Sequence, residues 1–212
     1  MDIDLRGRDL EGVTDFIFGQ PVPEDPKSKE WYWDVDLTFD PREQVAHLTT
    51  IFRNAADLRS RYSPDQLEQG FWYLISGAHS GLCDLLWNTA VPWEARAELI
   101  DSTVVLYRDL FAVDPLDTSA HMFWDGIAYD YSLTRDPETN AEDRRVQDAI
   151  FEALVQILGL DSLTCQRAAL HGLGHLRHHE TAKAIKNFLA RNPDLSGKDR
   201  AYAHACASGT MQ

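Results

Sequence analysis

The chain has 212 residues, 44% of them hydrophobic, which is enough for one globular domain with a substantial core. Its 34 acidic and 20 basic residues give a formal net charge of -14, which disfavours nucleic acid and anionic membranes as partners. The widely spaced Cys83, Cys165 and Cys206 form no CxxC pair, which argues against a disulfide framework or a zinc ribbon and favours a reducing compartment. No apolar run approaches the roughly 20 residues of a membrane span, so we expect a cytoplasmic protein without membrane contact.

Residues 1–40 have the weakest periodicity in the chain. The stretch QPVPEDPKSKE is rich in proline and charge, which predicts a solvated loop. Residues 31–39, WYWDVDLTF, alternate in part, as an extended arm does. The side chains expected on one side of this arm are Trp31, Trp33, Val35 and Leu37. We interpret the segment as a strap over a helical groove. The alternative is that Trp31 and Trp33 contact a partner, because tryptophan is enriched at interface hot spots.

Residues 41–160 carry the signals of a helical body. Asp40-Pro41 and Ser63-Pro64 each combine an N-cap residue with a proline at the first helical position, so a helix is expected from each. Apolar spacing predicts helices over residues 41–61, 63–77, 80–87, 92–111 and 140–158, with Gly159 as the C-cap of the last. A less regular segment begins at residue 114. No alternating strand pattern follows residue 39, so the predicted class is all-α.

Residues 164–189, TCQRAALHGLGHLRHHETAKAIKNFL, predict two short antiparallel helices joined by a histidine-rich turn. A final helix is expected over residues 199–211. At about 3.6 residues per turn, one side of the first helix in the hairpin is apolar and suited to burial. That side carries Cys165, Ala169, Gly172, Leu173 and Leu176. Another side carries Arg167, His171, His175 and His178.

The hairpin has a weak internal echo earlier in the chain. Residues 67–87 align without a gap on residues 169–189, and Gly70 then falls on Gly172. A glycine inside a helix costs about 1 kcal/mol relative to alanine, so its recurrence suggests that both helices approach a neighbour closely. Helical pairs that stack on their neighbours are typical of an α-solenoid, or α-α superhelix.

The sequence AALHGLGHLRHHETAKAIKNFL resembles a HEAT-like repeat of the short, PBS-lyase type. Arg167 and the ALHGLG core that begins at Ala169 match the first helix of such a repeat, and the resemblance covers residues 161–212. It implies a scaffold that binds other macromolecules and has no catalytic residues. The layout is also similar to that of bacterial toxin-immunity proteins. We therefore expect one domain over residues 1–212, with a strap at 1–40, a helical body at 41–160 and the HEAT-like part at 161–212.

His171 and His175 lie four residues apart on one predicted helix, a spacing that could place two imidazoles on one metal ion. The sequence has no HExxH motif, and it places no third ligand beside them. It also has no G-x-S-x-G, P-loop or dinucleotide-binding fingerprint. The prediction is therefore a non-catalytic chain with no cofactor and no metal. The alternative is a metal-dependent enzyme that uses His171 and His175.

The C-terminal part is electropositive, unlike the rest of the chain. Residues 164–212 contain 7 basic and 3 acidic residues, a net charge of +4, and five of the eight histidines. Arg167, His171, His175 and His178 could accept an acidic partner segment or a phosphate; the alternative is ordinary surface charge. The predicted function is protein–protein interaction. An immunity protein whose acidic body neutralises a basic toxin is a second hypothesis.

Overall fold

A computed structural model describes residues 2–24, 30–76, 81–128 and 135–210. The α-helices and β-strands in these ranges are β1 (Asp2–Asp4), α1 (Leu10–Phe18), β2 (Asp36–Thr38), α2 (Pro41–Arg53), α3 (Ala55–Arg61), α4 (Pro64–Ile75), α5 (Leu82–Trp87), α6 (Trp93–Leu106), α7 (Ser119–Ala128), α8 (Ala141–Leu158), α9 (Leu163–Leu176), α10 (Thr181–Arg191) and α11 (Gly197–Ser208). A turn of 3-10 helix (Trp31–Asp34) precedes β2, and a turn of π-helix (Tyr107–Phe111) continues α6. The predicted all-α class is confirmed. None of these helices is long and apolar enough to cross a membrane.

Some predictions fall on residues outside those ranges. They are the middle of the proline-rich loop (residues 25–29), the last residue of the helix predicted over 63–77, the first residue of the helix predicted over 80–87, and residue 211 at the end of the last predicted helix. The side chain of Cys83 is also outside the described part. Cys165 and Cys206 are free and buried, as expected of thiols on apolar helix faces.

The helix starts predicted from capping residues are confirmed. The Asp40 carboxylate accepts hydrogen bonds from the backbone amides of Arg42 and Glu43 at the start of α2. Ser63 and Gln66 form a reciprocal capping box at the start of α4. Asn140 and Gly159 cap the two ends of α8.

The single helix predicted over residues 41–61 is interrupted at Asn54, which separates α2 from α3. The Asn54 side-chain amide donates to the Thr50 carbonyl at 2.8 Å, and its backbone amide donates to the same carbonyl at 3.1 Å. Asparagine side chains compete with the backbone for hydrogen bonds, and this favours a break in the helix.

The N-terminal segment is more regular than the sequence indicates. Residues 10–18 form α1, although residues 1–40 have the weakest periodicity in the sequence. Trp31–Asp34 is a turn of 3-10 helix, so the extended arm is wrong there; the chain is extended at β2, which pairs in parallel with β1. Trp31 packs against Phe16 and Tyr73, with ring centres 5.3 and 4.9 Å away, so the segment lies on α1 and α4.

Helix α9 lies between other helices and packs most extensively on α7, then on α8 and α11. A Cβ on Gly172 would lie 2.7 Å from the Trp124 Cβ on α7 and 2.8 Å from the Leu154 Cδ2 on α8. A Cβ on Gly70 would meet the Phe18 ring and lie 2.9 Å from the Ile17 carbonyl oxygen of α1. Close helix approach at both glycines is therefore confirmed, although the elements they approach are different.

Helix α9 ends at Leu176, because Arg177 adopts the left-handed conformation with φ of 52°. His178 consequently leaves the helical face that was predicted to include it. Its ring stacks on Phe151 with centres 4.1 Å apart, and its Nε2 lies 2.9 Å from an Asp148 oxygen, both on α8. His178 is buried, although it lies in the histidine-rich turn between α9 and α10.

The second helix of the hairpin packs more extensively on the final helix than on its own partner. More of α10 lies within contact distance of α11 than of α9. The helix–turn–helix order predicted for residues 164–189 is confirmed. The superhelical stacking of such pairs stays a prediction.

Candidate metal centre

Two neighbouring helices each present two polar side chains four residues apart. α7 carries His121 and Asp125, and α9 carries His171 and His175. Because an α-helix turns once in about 3.6 residues, each pair lies on one face of its helix. The tight packing of α7 on α9 at Gly172 brings the two faces together.

Three of these side chains converge on one point. The Asp125 Oδ1 lies 2.9 Å from the His175 Nε2 and 3.5 Å from the His171 Nε2. One ligand atom from each of the three residues lies within 4.8 Å of the others. At 3.5 Å this approach is at the limit of hydrogen-bond length, so the buried His171 Nε2 has no well-formed hydrogen bond among the described residues. A buried polar atom without a partner is costly, which makes it a strong marker of a ligand position.

The other nitrogen of His171 is held by α11. Its Nδ1 lies 2.9 Å from the Tyr202 hydroxyl oxygen. If Nδ1 carries the proton and donates to Tyr202, the lone pair of Nε2 points at the space beside Asp125 and His175. Metal-ligating histidines are commonly oriented in this way by an outer partner.

Burial keeps the histidines of this cluster uncharged near neutral pH. Burial, together with the neighbouring His121 and His175, lowers the pKa of His171 to about 4. Burial also lowers the pKa of His175, against the opposing charge of Asp125. Burial and the nearby Arg167 lower the pKa of His121. Neutral imidazoles offer a lone pair, so they are in the form that binds a metal ion.

The N-terminus of α7 is tied to α4 by Glu68. This carboxylate accepts hydrogen bonds from the backbone amides of Asp117, Thr118 and Ser119 at 2.9–3.2 Å. It also accepts from the hydroxyls of Thr118 and Ser119, at 2.9 and 2.6 Å. These bonds satisfy the backbone N–H donors at the start of α7 and fix the position of His121 and Asp125.

The structure brings together some of the residues predicted as a partner-binding site and separates others. His171 and His175 lie in the cluster. Arg167 lies on the same helix, but its guanidinium is engaged by Asp199 of α11 at 2.7 and 2.8 Å. His178 lies against α8. Trp31 is packed among aromatic rings, whereas the side chain of Trp33 is 58% exposed.

Sequence reasoning missed the contribution of α7. His121 and Asp125 have the same four-residue spacing as His171 and His175, and that spacing is visible in the sequence. The segment from residue 114 was interpreted as less regular, so the pair was not placed on a helix. Their proximity to α9 depends on tertiary packing, which no local pattern reveals.

Comparison with protein-family models, with curated proteins and with solved structures finds no match to this chain.

Proposed function

We propose that this protein binds a divalent transition-metal ion through Asp125, His171 and His175. The observation that carries the proposal is the buried, unpartnered His171 Nε2, directed at a carboxylate and a second imidazole. Imidazole and carboxylate ligands together suit zinc, iron, manganese, nickel or copper, and they disfavour the hard cations magnesium and calcium.

The spacing of the three groups fits such an ion. Zinc–nitrogen and zinc–oxygen bonds of about 2.0–2.2 Å place the ligand atoms of a tetrahedral site about 3.4 Å apart. The contacts from Asp125 to His175 and His171, 2.9 and 3.5 Å, bracket that separation. Small side-chain adjustments therefore suffice to seat an ion between the three residues.

Electrostatics also favour a cation at this position. The cluster holds one carboxylate and uncharged imidazoles. Of the two guanidinium groups that act on its histidines, Arg167 is engaged by Asp199, and Arg177 acts on His175. A divalent ion would compensate the Asp125 charge and supply the partner that His171 Nε2 lacks. One bound metal ion would thus remove two unfavourable features of the metal-free fold, the uncompensated carboxylate charge and the buried nitrogen without a partner.

The test is metal binding by protein purified without an affinity tag. Elemental analysis is expected to find about one zinc, iron, manganese, nickel or copper ion per chain, or the metal-free protein is expected to bind zinc stoichiometrically in calorimetry. Asp125→Asn and His171→Gln are expected to weaken binding at least about tenfold. His204→Gln, at an exposed histidine on α11, is the matched control and leaves the affinity unchanged.

Wild-type protein that neither carries nor binds such an ion would overturn the proposal. So would equal losses in the site variants and in His204→Gln, because adventitious binding to surface histidines predicts that pattern. Circular dichroism of each variant separates lost ligands from lost structure.

A second proposal is protein binding through the aromatic N-terminal segment, supported by the exposed indole of Trp33 beside the buried Tyr32. A pull-down from the native source with wild-type and Trp33→Ala protein tests it. A partner that is retained by the wild type and lost by the variant is expected. Identical recovery by the two proteins would contradict it.

A further inference from the structure

We propose that His121 is a fourth ligand, so that α7 and α9 enclose the metal ion in a closed shell of three imidazoles and one carboxylate. The inference rests on the proposed metal binding and extends it, because it assigns the ion a structural role. Structural zinc sites have four protein ligands, whereas catalytic sites keep a position for water or substrate.

His121 is available for this role. Within the described part of the chain, its imidazole contacts the rings of His171 and Tyr202, with centres 4.7 and 6.4 Å away, and makes no hydrogen bond or ion pair. The ring is half-buried beside the cluster. A half-buried imidazole with two uncommitted nitrogens, one helical turn from Asp125, can turn its lone pair toward a bound ion at little cost.

The ring spacing matches shared coordination. Two imidazoles on one tetrahedral ion have ring centres about 5 Å apart, given metal–nitrogen bonds of about 2.0–2.1 Å. The His121–His171 and His171–His175 centres are 4.7 and 4.6 Å apart. The His171 ring thus lies at a spacing compatible with shared coordination from both His121 and His175, and Asp125 lies on the same side of α7 as His121.

His121 must rotate to complete the shell. In the metal-free arrangement its nitrogens lie outside the group formed by Asp125, His171 and His175. The other three groups need only small shifts, and Gly172 holds the two helix backbones close together beside them. We therefore expect metal binding to fix the orientation of the His121 ring and to link α7 and α9 through ligands to the same ion.

Cobalt(II) reports this coordination directly. Metal-free wild-type protein loaded with cobalt(II) is expected to show the intense visible absorption of a four-coordinate ion. His121→Ala is expected to keep a bound ion, with affinity reduced at least about tenfold, and to show a visible band changed in position and intensity, because water replaces the imidazole. His204→Ala, the control, keeps the wild-type spectrum.

The variant His121→Cys distinguishes a ligand from a neighbour that only supports the site. A thiolate at this position is expected to bind the ion and to add a sulfur-to-cobalt charge-transfer band in the near ultraviolet. That band requires a direct bond to the ion. It also decides the question if His121→Ala proves unfolded by circular dichroism.

The outcomes separate the two proposals. A wild type that binds no ion overturns both of them. A wild type whose binding depends on Asp125 and His171, but whose cobalt spectrum is weak or unaffected by His121→Ala, with no thiolate band in His121→Cys, overturns the role of His121. In that case the three-ligand site stands with an open position.

Discussion

Glu68 joins α4 to the first turn of α7, the helix that carries His121 and Asp125. Burial opposes its ionisation, but the hydrogen bonds from Ser119 and Thr118 outweigh that effect and lower the pKa of the carboxyl group. The folded state therefore favours the ionised form of Glu68. Glu68 lies outside the cluster, but it thus contributes to the position of His121 and Asp125.

We predict that Glu68→Gln lowers the free energy of unfolding by about 1.5–3 kcal/mol at pH 7, the usual range for hydrogen bonds to a charged group. The native pKa is lower than the unfolded value, so the unfolded state binds more protons in the window between them. The stabilisation is complete above the ordinary value of 4.5 and is lost as pH falls through the native pKa.

Urea unfolding of wild type and Glu68→Gln from pH 7 to pH 3 measures this difference. It is expected to shrink as the pH falls below 4.5. Glu152→Gln, on the exposed side of α8, serves as the control and changes stability little. A difference between wild type and Glu68→Gln that stays constant with pH would contradict the role assigned to the carboxylate.

At the level of helices, the contact of α7 with α9 determines whether the site exists. It depends on the absence of a side chain at Gly172, where the Trp124 Cβ and the Leu154 side chain occupy the space. A methyl group there must push the helices apart or displace a buried indole. Either change also separates Asp125 from His171.

We predict that Gly172→Ala destabilises the protein by about 1–3 kcal/mol, although alanine is the better helix former, because overpacking outweighs propensity. It should also weaken metal binding. Gly197→Ala is the matched control, since a Cβ on Gly197 meets nothing within 4 Å in the first turn of α11. Thermal melts of both variants test the prediction, and equal stability of the two would contradict it.

The sequence predicts most of this architecture where the determinants are local. Capping at Asp40 and Ser63 depends on residues within one turn, and both helix starts were predicted correctly. The break at Asn54 and the left-handed Arg177 depend on one residue adopting a conformation that its neighbours do not dictate. These two positions account for the missed helix interruption and for the misplaced His178.

The site is less predictable than the helices, because most of its determinants are not local in the sequence. His171 and His175 were recognised because their ligand spacing is local. Asp125 supplies the third group from a different helix, and no sequence pattern links α7 to α9. The buried environment that keeps the imidazoles uncharged also arises only from packing.

For the molecule as a whole, a net charge of -14 complicates any test of metal binding. An acidic surface attracts divalent cations diffusely, without a defined site. At physiological ionic strength, salt screens this attraction at distances beyond about 8 Å. Coordination by buried ligands is not screened in this way. A specific ion must therefore stabilise the fold in the presence of salt, and it must do so by way of Asp125 and the histidines.

We predict that zinc at 100 times its dissociation constant, in 0.15 M salt, raises the melting temperature of the metal-free protein by about 5–10 °C. This follows from a stabilisation of about 2.7 kcal/mol, at about 2–4 °C per kcal/mol for a chain of this size. Magnesium at the same concentration is the control for diffuse attraction, because it binds imidazole poorly. Asp125→Asn, with affinity at least about tenfold lower, should reduce the zinc shift by about half or more and leave the magnesium result unchanged. A rise of equal size with both metals, or one that is undiminished in Asp125→Asn, would attribute the effect to the acidic surface and not to the helices α7 and α9.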